Sequence, residues 1–186
     1  MSMRFEIPTL ETERLILRAP AERDFGPWLD FNASPRTRFV GGHVPRNTVW
    51  RGLAAYLGHW ALRGYGMWAV DERTTGLFCG NIGPWFPEGW PEPEIGWTVM
   101  EAAEGRGIAR EAALAARAWA YETLGWTTAI SLIDPENTRS IALATRLGAQ
   151  HERDFEHDEY GVMRIYRHPS PEEAVPGQTA PEDLGK

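Results

Sequence analysis

The sequence of 186 residues predicts a mixed α/β (α+β) domain: a mostly antiparallel twisted sheet with one central parallel pair, flanked by about four helices. Three observations lead there. Seven short stretches have strand character, several alternating with the two-residue period, and four longer ones repeat their apolar residues every three to four positions. Strands stand directly before and after the longest helical stretch, which requires one crossover and hence one parallel pair. The composition, 42% hydrophobic and 24% charged, is that of a globular chain.

Arg14-Leu15-Ile16-Leu17-Arg18 is the first strand, halted at Pro20. Residues 21–33 place Phe25, Trp28, Leu29 and Asn32 at helical spacing, although Gly26-Pro27 weakens the first turn. A second helix is expected over 48–63, with Leu53, Tyr56, Leu57 and Trp60 on one stripe and Gly64 as its stop. Residues 67–71 and 76–82 read as a hairpin. The four prolines and two glycines of 83–93 make a loop, and 94–100 is the next strand. The longest helix is expected over 105–124, with Ile108, Ala112, Ala115 and Trp119 on one face, followed by a β-branched strand at 127–133. Asn137 can cap a helix that runs through Leu147 and stops at Gly148. Residues 149–155 and 160–167 form two strands around a polar turn. One domain, 1–168, is followed by an acidic, proline-rich tail, 169–186, expected to be disordered.

Nineteen basic against 26 acidic residues leave a net charge of −7, which argues against a nucleic-acid partner. Lys186 is the sole lysine, so a P-loop has no lysine to grip a phosphate. The lone Cys79 excludes a disulfide framework and a cysteine zinc site. Neither a signal-peptide pattern nor a run of about 18 apolar residues is present, so a cytoplasmic protein without a membrane partner is expected. Nine tryptophans are many for this length, and five fall between residues 60 and 97.

The most informative stretch runs from Glu94 to Ala112: a strand, a short connection, then a glycine-rich turn opening the long helix. Gly105 and Gly107 let the backbone turn its N–H groups outward at the positive end of a helix dipole, which makes an anion site suited to phosphate or pyrophosphate. Arg106 and Arg110 would add charge at its edge. A tight turn that binds nothing fits the same local pattern. A dinucleotide fingerprint fits poorly, because Arg110 stands where the third glycine belongs and no repeated βαβ units follow. Asp134, before Pro135, reads as a turn residue and not as a ribose ligand.

Five segments carry a resemblance in their order and spacing. They are Thr12-Glu13-Arg14-Leu15-Ile16-Leu17-Arg18, Gly80-Asn81-Ile82-Gly83, Glu94-Ile95-Gly96-Trp97, Gly105-Arg106-Gly107-Ile108-Ala109-Arg110-Glu111-Ala112, and the run from Asn137 through Ser140 to Leu147-Gly148. Together they resemble the GNAT superfamily of acyl-CoA-dependent N-acetyltransferases, in the branch containing the ribosomal-protein N-terminal (alanine) acetyltransferases. The resemblance covers nearly the whole ordered chain. It implies a GNAT-like sheet, with acetyl-CoA as co-substrate and no metal. The turn Glu104, Gly105, Arg106, Gly107, Ile108, Ala109 and Arg110 would hold the coenzyme A pyrophosphate on backbone N–H groups. The pantetheine arm would pair like an extra strand with the backbone around Thr98 and Val99, and Asn137 would touch that arm. The superfamily often has Gln or Arg where this chain has Glu104. An acid beside a pyrophosphate is unfavourable unless it points to solvent, so the backbone cradle and not this side chain is expected to serve.

Transfer to an amine needs a neutral amine near the thioester, a stabilised oxyanion and a proton for the departing thiolate. The resemblance implies Glu94 as general base, on one strand face with Gly96 and Thr98; a surface carboxylate after Pro93 is the plain alternative. Many relatives protonate the thiolate with a Tyr seven residues past the Asn. Ala144 stands there in this chain, which leaves Ser140 as the candidate, or as an ordinary polar residue in a helix's first turn. Trp85 and Trp90 would wall an acceptor pocket or simply cover the sheet. Core packing is expected for Trp68, Trp97 and Cys79. His151, Asp154, His157 and Asp158 look like a metal set in composition only, and a solvated turn explains them. The sequence therefore reads as an N-acetyltransferase, monomer or homodimer. Its acceptor would be the amine of a small molecule, an amino acid or a peptide or protein N-terminus, with the acidic balance mildly favouring a cationic one. A non-catalytic acyl-CoA-binding module of the same fold is the alternative.

Overall fold

The computed structural model describes residues 6–174. The expected strands appear as β2 (Leu15–Arg18), β3 (Trp68–Glu72), β4 (Phe78–Trp85), β5 (Glu94–Val99), β6 (Ile130–Ile133), β7 (Gln150–His157) and β8 (Gly161–Arg167), with a two-residue β1 (Leu10–Glu11) ahead of them. The helices are α1 (Phe25–Ala33), α2 (Arg46–Arg63), α3 (Ile108–Leu124) and α4 (Thr138–Arg146). The strands form one sheet in the order β1-β2-β3-β4-β5-β6-β8-β7. Only β5 and β6, joined through α3, run parallel. This is the fold class read from the sequence.

Two boundaries that shape the site differ from the expected ones. The strand β4 continues through Gly83, Pro84 and Trp85, which pair with Gly96, Ile95 and Glu94, where a loop was expected. Pairing with β3 begins only at Trp68↔Ile82. Beyond that point β4 has a neighbour on one side alone, where a proline without N–H is tolerated. The helix α3 starts at Ile108 instead of Gly105, because both glycines before it adopt left-handed backbone. Its buried stripe is Ile108, Ala112, Ala113, Ala116 and Ala120, rotated from the expected one so that Ala115 and Trp119 flank it.

These small side chains let α3 lie close on the sheet against Leu15, Leu17, Trp68, Val70, Cys79, Ile82 and Ile95. Each large apolar side chain fully buried there contributes about 1.5–3 kcal/mol. Trp68 is fully buried, as expected, and its indole N–H donates to the Pro8 carbonyl at 2.7 Å. A second cluster, Ile133, Ala144, Ala149 and Tyr166, lies under α4.

Two buried polar knots tie the layers. The Arg18 guanidinium donates to both carboxylate oxygens of Asp71 (2.5 and 2.8 Å) and of Asp24 (2.9 and 2.6 Å). At the other end of the sheet Arg117 donates to the Leu147 carbonyl (2.7 Å) and lies 3.1 Å from His168 Nδ1. His168 Nε2 is 2.9 Å from Ser131 Oγ, whose hydroxyl donates to the Ile95 carbonyl at 2.7 Å. An arginine always donates, so Nδ1 accepts and the ring hydrogen sits on Nε2. Of the expected tail, Pro169 accepts from the Tyr121 hydroxyl (2.8 Å) and Ser170 N–H donates to Glu173 (2.9 Å). Residues 175–186 lie outside the described residues. Among the described residues no helix is long and apolar enough to cross a membrane, and no group of three or more His, Cys, Asp or Glu side chains could hold a metal ion.

Candidate active site

The parallel strands β5 and β6 meet at one registered pair, Glu94↔Ile130, and then diverge. Past that point side chains replace the missing ladder. The Leu132 N–H donates to Glu94 Oε2 at 3.2 Å, and Ser131 Oγ caps the Ile95 carbonyl. The Met100 N–H to Cys79 carbonyl bond, 2.9 Å, belongs to the β4 side of the strand. Backbone groups alternate sides along a strand, so those of Ile95, Trp97 and Val99 face the split, while Thr98 lies opposite Asn81.

The mouth of the split opens into a cavity of about 720 Å³. Thr98, Val99, Glu104, Gly105, Gly107, Ile108, Ala109, Arg110, Asn137 and Ser140 all line it, so most of the sequence-predicted cofactor residues meet around one space. Gly105 and Gly107 have φ of +68° and +75°, backbone that side-chain-bearing residues rarely adopt. A Cβ on Gly105 would meet nothing within 4 Å and one on Gly107 only Arg14 Nη2 at 3.4 Å, so the glycines serve the turn's shape and not a crowded contact. Asn137 caps α4, its Oδ1 accepting from Ser140 N–H at 3.2 Å. Ser140 Oγ in turn accepts from the Trp97 indole N–H at 3.1 Å, which leaves its own hydrogen free to be donated.

Arg106 does not reach this space: its guanidinium turns away to Glu72, while its carbonyl accepts from Arg14 Nη1 at 2.8 Å. Glu104 is held, not set free in solvent, by Arg36 (2.5 Å) and Arg139 (2.8 and 3.1 Å), and the Arg36 hydrogen bond keeps its carboxyl below the usual range. Arg36, Arg139 and Arg146 line the cavity and went unread in the sequence. A signal existed for one of them. A cation in a helix's first turn opposes the dipole, yet Arg110 stands in that turn of α3 and Arg139 in that of α4.

Glu94 lies at the apex of the split and is 7% exposed, so it is not the surface carboxylate of the plain alternative. Its Oε2 accepts from the Trp90 indole (2.9 Å) as well as from Leu132 N–H. Burial pushes its carboxyl up to about 7, with those two hydrogen bonds pulling the other way. Both donors sit on Oε2, and Oε1 accepts no hydrogen bond among the described residues. That oxygen lies over Gly96, where a Cβ would come within 2.6 Å of it. Around Glu94 stand aromatic side chains. Trp90 packs edge-on to His157 and Tyr160, and Trp85 stacks on His59 (4.5 Å between centroids) and meets Tyr56, which touches Trp28. His157 is buried here and not solvated, because its Nδ1 accepts the turn's N–H groups of Glu159 and Tyr160 (3.1 and 3.3 Å). Neither Glu94, Trp85 nor Trp90 borders the 720 Å³ cavity.

Several known proteins are similar to this chain. Residues 14–150 match the family model "Acetyltransferase (GNAT) domain". An acetyltransferase from Agrobacterium tumefaciens str. C58 is 39% identical and superimposes with a TM-score of 0.80 over 90% of this chain and 98% of that one. The uncharacterized protein YkkB of Bacillus subtilis (strain 168) is 32% identical over 155 residues, 77% of this chain and 86% of its own length. RimL, a ribosomal L7/L12 alpha-N-protein acetyltransferase solved in complex with coenzyme A, shares the fold at 16% identity, with a TM-score of 0.72 over 90% of this chain and 100% of that one. Matched by sequence through the strand, turn and helix that build the cavity, the chain belongs to the GNAT acetyltransferase family.

Proposed function

We propose that the chain is an acetyl-CoA-dependent N-acetyltransferase that passes acetyl directly to a primary amine, without a covalent enzyme intermediate. The observation that carries this reading is the split between β5 and β6: at its mouth a cavity with a glycine cradle and arginines, and at its apex, outside that cavity, a buried carboxylate whose pKa of about 7 suits a general base. The donor supplies the acetyl group as a thioester. Gly105 and Gly107 shape the turn whose N–H groups face its pyrophosphate, and the Trp97 and Val99 backbone offers an edge to the pantetheine amides. An amine held between apex and mouth gives its proton to Glu94 Oε1 as its nitrogen bonds to the carbonyl carbon. Ser140, fixed by Trp97, donates its hydrogen to the sulfur as the C–S bond breaks and takes a proton back from solvent in the open cavity.

Trp28, Tyr56, Trp85 and Trp90 wall the acceptor side, on the face of the sheet that Glu94 shares with Trp85. The acceptor is thus an amine with apolar surface beside it, a class that includes peptide N-termini of the kind named for RimL. A thermal-shift screen with acetyl-CoA and longer acyl-CoAs, followed by steady-state thiol release with an amine panel, tests the reading. Stabilisation by acetyl-CoA and amine-dependent thiol release are expected. Stabilisation without release by any amine would leave an acyl-CoA-binding module.

A further inference from the structure

Glu104 stands at the mouth of the cavity with its carboxylate between two arginines from separate elements, and Gly105, the next residue, begins the cradle. Arg36, from the turn after α1, donates Nη2 both to Glu104 Oε1 (2.5 Å) and to the Val99 carbonyl (3.0 Å), and Arg139 of α4 donates to both Glu104 oxygens (2.8 and 3.1 Å). The Arg36 Nε is buried and has no hydrogen-bond partner among the described residues. All three side chains line the cavity. Two guanidiniums, one with a spare buried donor, are therefore gathered by an acid at the place proposed to receive two phosphates.

From this geometry we infer that Glu104 is an internal stand-in for the coenzyme A phosphates: it holds Arg36 and Arg139 in the free protein and gives them up when the donor binds. The inference rests on the acetyl-CoA reading of the cavity. A carboxylate and a phosphate compete for the same planar guanidinium donors, and an acid left in place would repel the incoming anion. Release is feasible, because the Glu104 side chain is already 35% exposed and the Arg139 side chain 56%. Arg36, only 14% exposed and anchored to Val99, stays behind as the fixed cation, and its Nε gains a partner. The acid thus keeps two neighbouring cations apart from their repulsion in the empty protein at the cost of donor affinity.

Isothermal calorimetry of coenzyme A on the full chain, comparing wild type with Glu104→Gln, Arg36→Ala and Arg139→Ala, tests this without any assay of turnover. The stand-in role requires Glu104→Gln to bind coenzyme A about tenfold more tightly than wild type, with a lower melting temperature in the absence of ligand. Arg139→Ala should bind more weakly, and the gain from Glu104→Gln should shrink when the two are combined. An unchanged or weakened affinity in a folded Glu104→Gln would overturn the inference and make Glu104 a brace that orients the arginines for the phosphates. Should wild type bind no coenzyme A at all, the acetyl-CoA reading falls and this inference with it. Tight wild-type binding without a gain in Glu104→Gln removes the inference alone.

Discussion

In the proposed transfer Glu94 carries the proton chemistry because of where β5 and β6 part. Its carboxyl is pushed up to about 7 by burial, so at neutral pH it divides between the form that accepts a proton and the form that does not. As pH falls below 7 the base should be lost, and the rate should fall with it. Trp90 sets this balance by donating to Oε2, which favours the ionised form. Trp90→Phe keeps the ring and removes the donor, so the acidic limb of the pH–rate profile should move to higher pH, with kcat recovered on the alkaline side. A uniform loss at every pH would mean that Trp90 serves the acceptor and not the carboxylate. The same residue shows how the site hid in the sequence. The resemblance pointed to Glu94, yet neither its burial nor its partners could be read, since Trp90 reaches it across a loop and Leu132 from the neighbouring strand.

Elements were legible where chemistry is local. The alternation of Leu15 to Arg18, the stop at Gly64 and the Asn137 cap all stand in the structure as expected. Failures came where a neighbouring strand decides the outcome. Pro84 remains in β4 because β3 has already ended, and β1 is a strand only because Leu10 finds Leu17. The glycine turn belongs to the legible group, and left-handed backbone is what Gly107 supplies there. Gly107→Val forces a β-branched residue to φ near +75°, which costs the fold about 1–2 kcal/mol. The rotated N–H groups should also weaken acetyl-CoA binding at least tenfold, measured by calorimetry. Unchanged affinity in a folded variant would place the pyrophosphate elsewhere.

Across the whole molecule, stability rests on polar knots that no local pattern announces. Arg18 reaches two acids, Asp71 on β3, 53 residues on, and Asp24 in the turn before α1. Arg18→Met should leave Asp24 only the Ala21 N–H and Asp71 only the exposed Arg23, and cost about 3–5 kcal/mol in urea unfolding; a loss under about 1 kcal/mol would show that water replaces the guanidinium. At the far end, burial and the nearby Arg117 cation lower the His168 pKa to about 3. The unfolded chain therefore takes up this proton near pH 6.5 and the folded one only near 3. The contribution of His168 is complete above pH 6.5 and is lost as pH falls toward 3, at up to about 1.4 kcal/mol per pH unit. The melting temperature of wild type should thus exceed that of His168→Gln at pH 7 by more than it does at pH 4. A constant difference would assign the role of His168 to shape alone.

Acetyl transfer from coenzyme A to an amine with Glu94 as base makes a sharp demand on the pH dependence of amine-dependent thiol release. Wild type should show an acidic limb near pH 7. In Glu94→Gln, kcat should fall by roughly 10²–10⁴-fold and that limb should vanish, while acetyl-CoA affinity stays close to wild type. A variant with wild-type kcat and an unchanged limb would contradict the assignment, and the proton would have to leave the amine by another path.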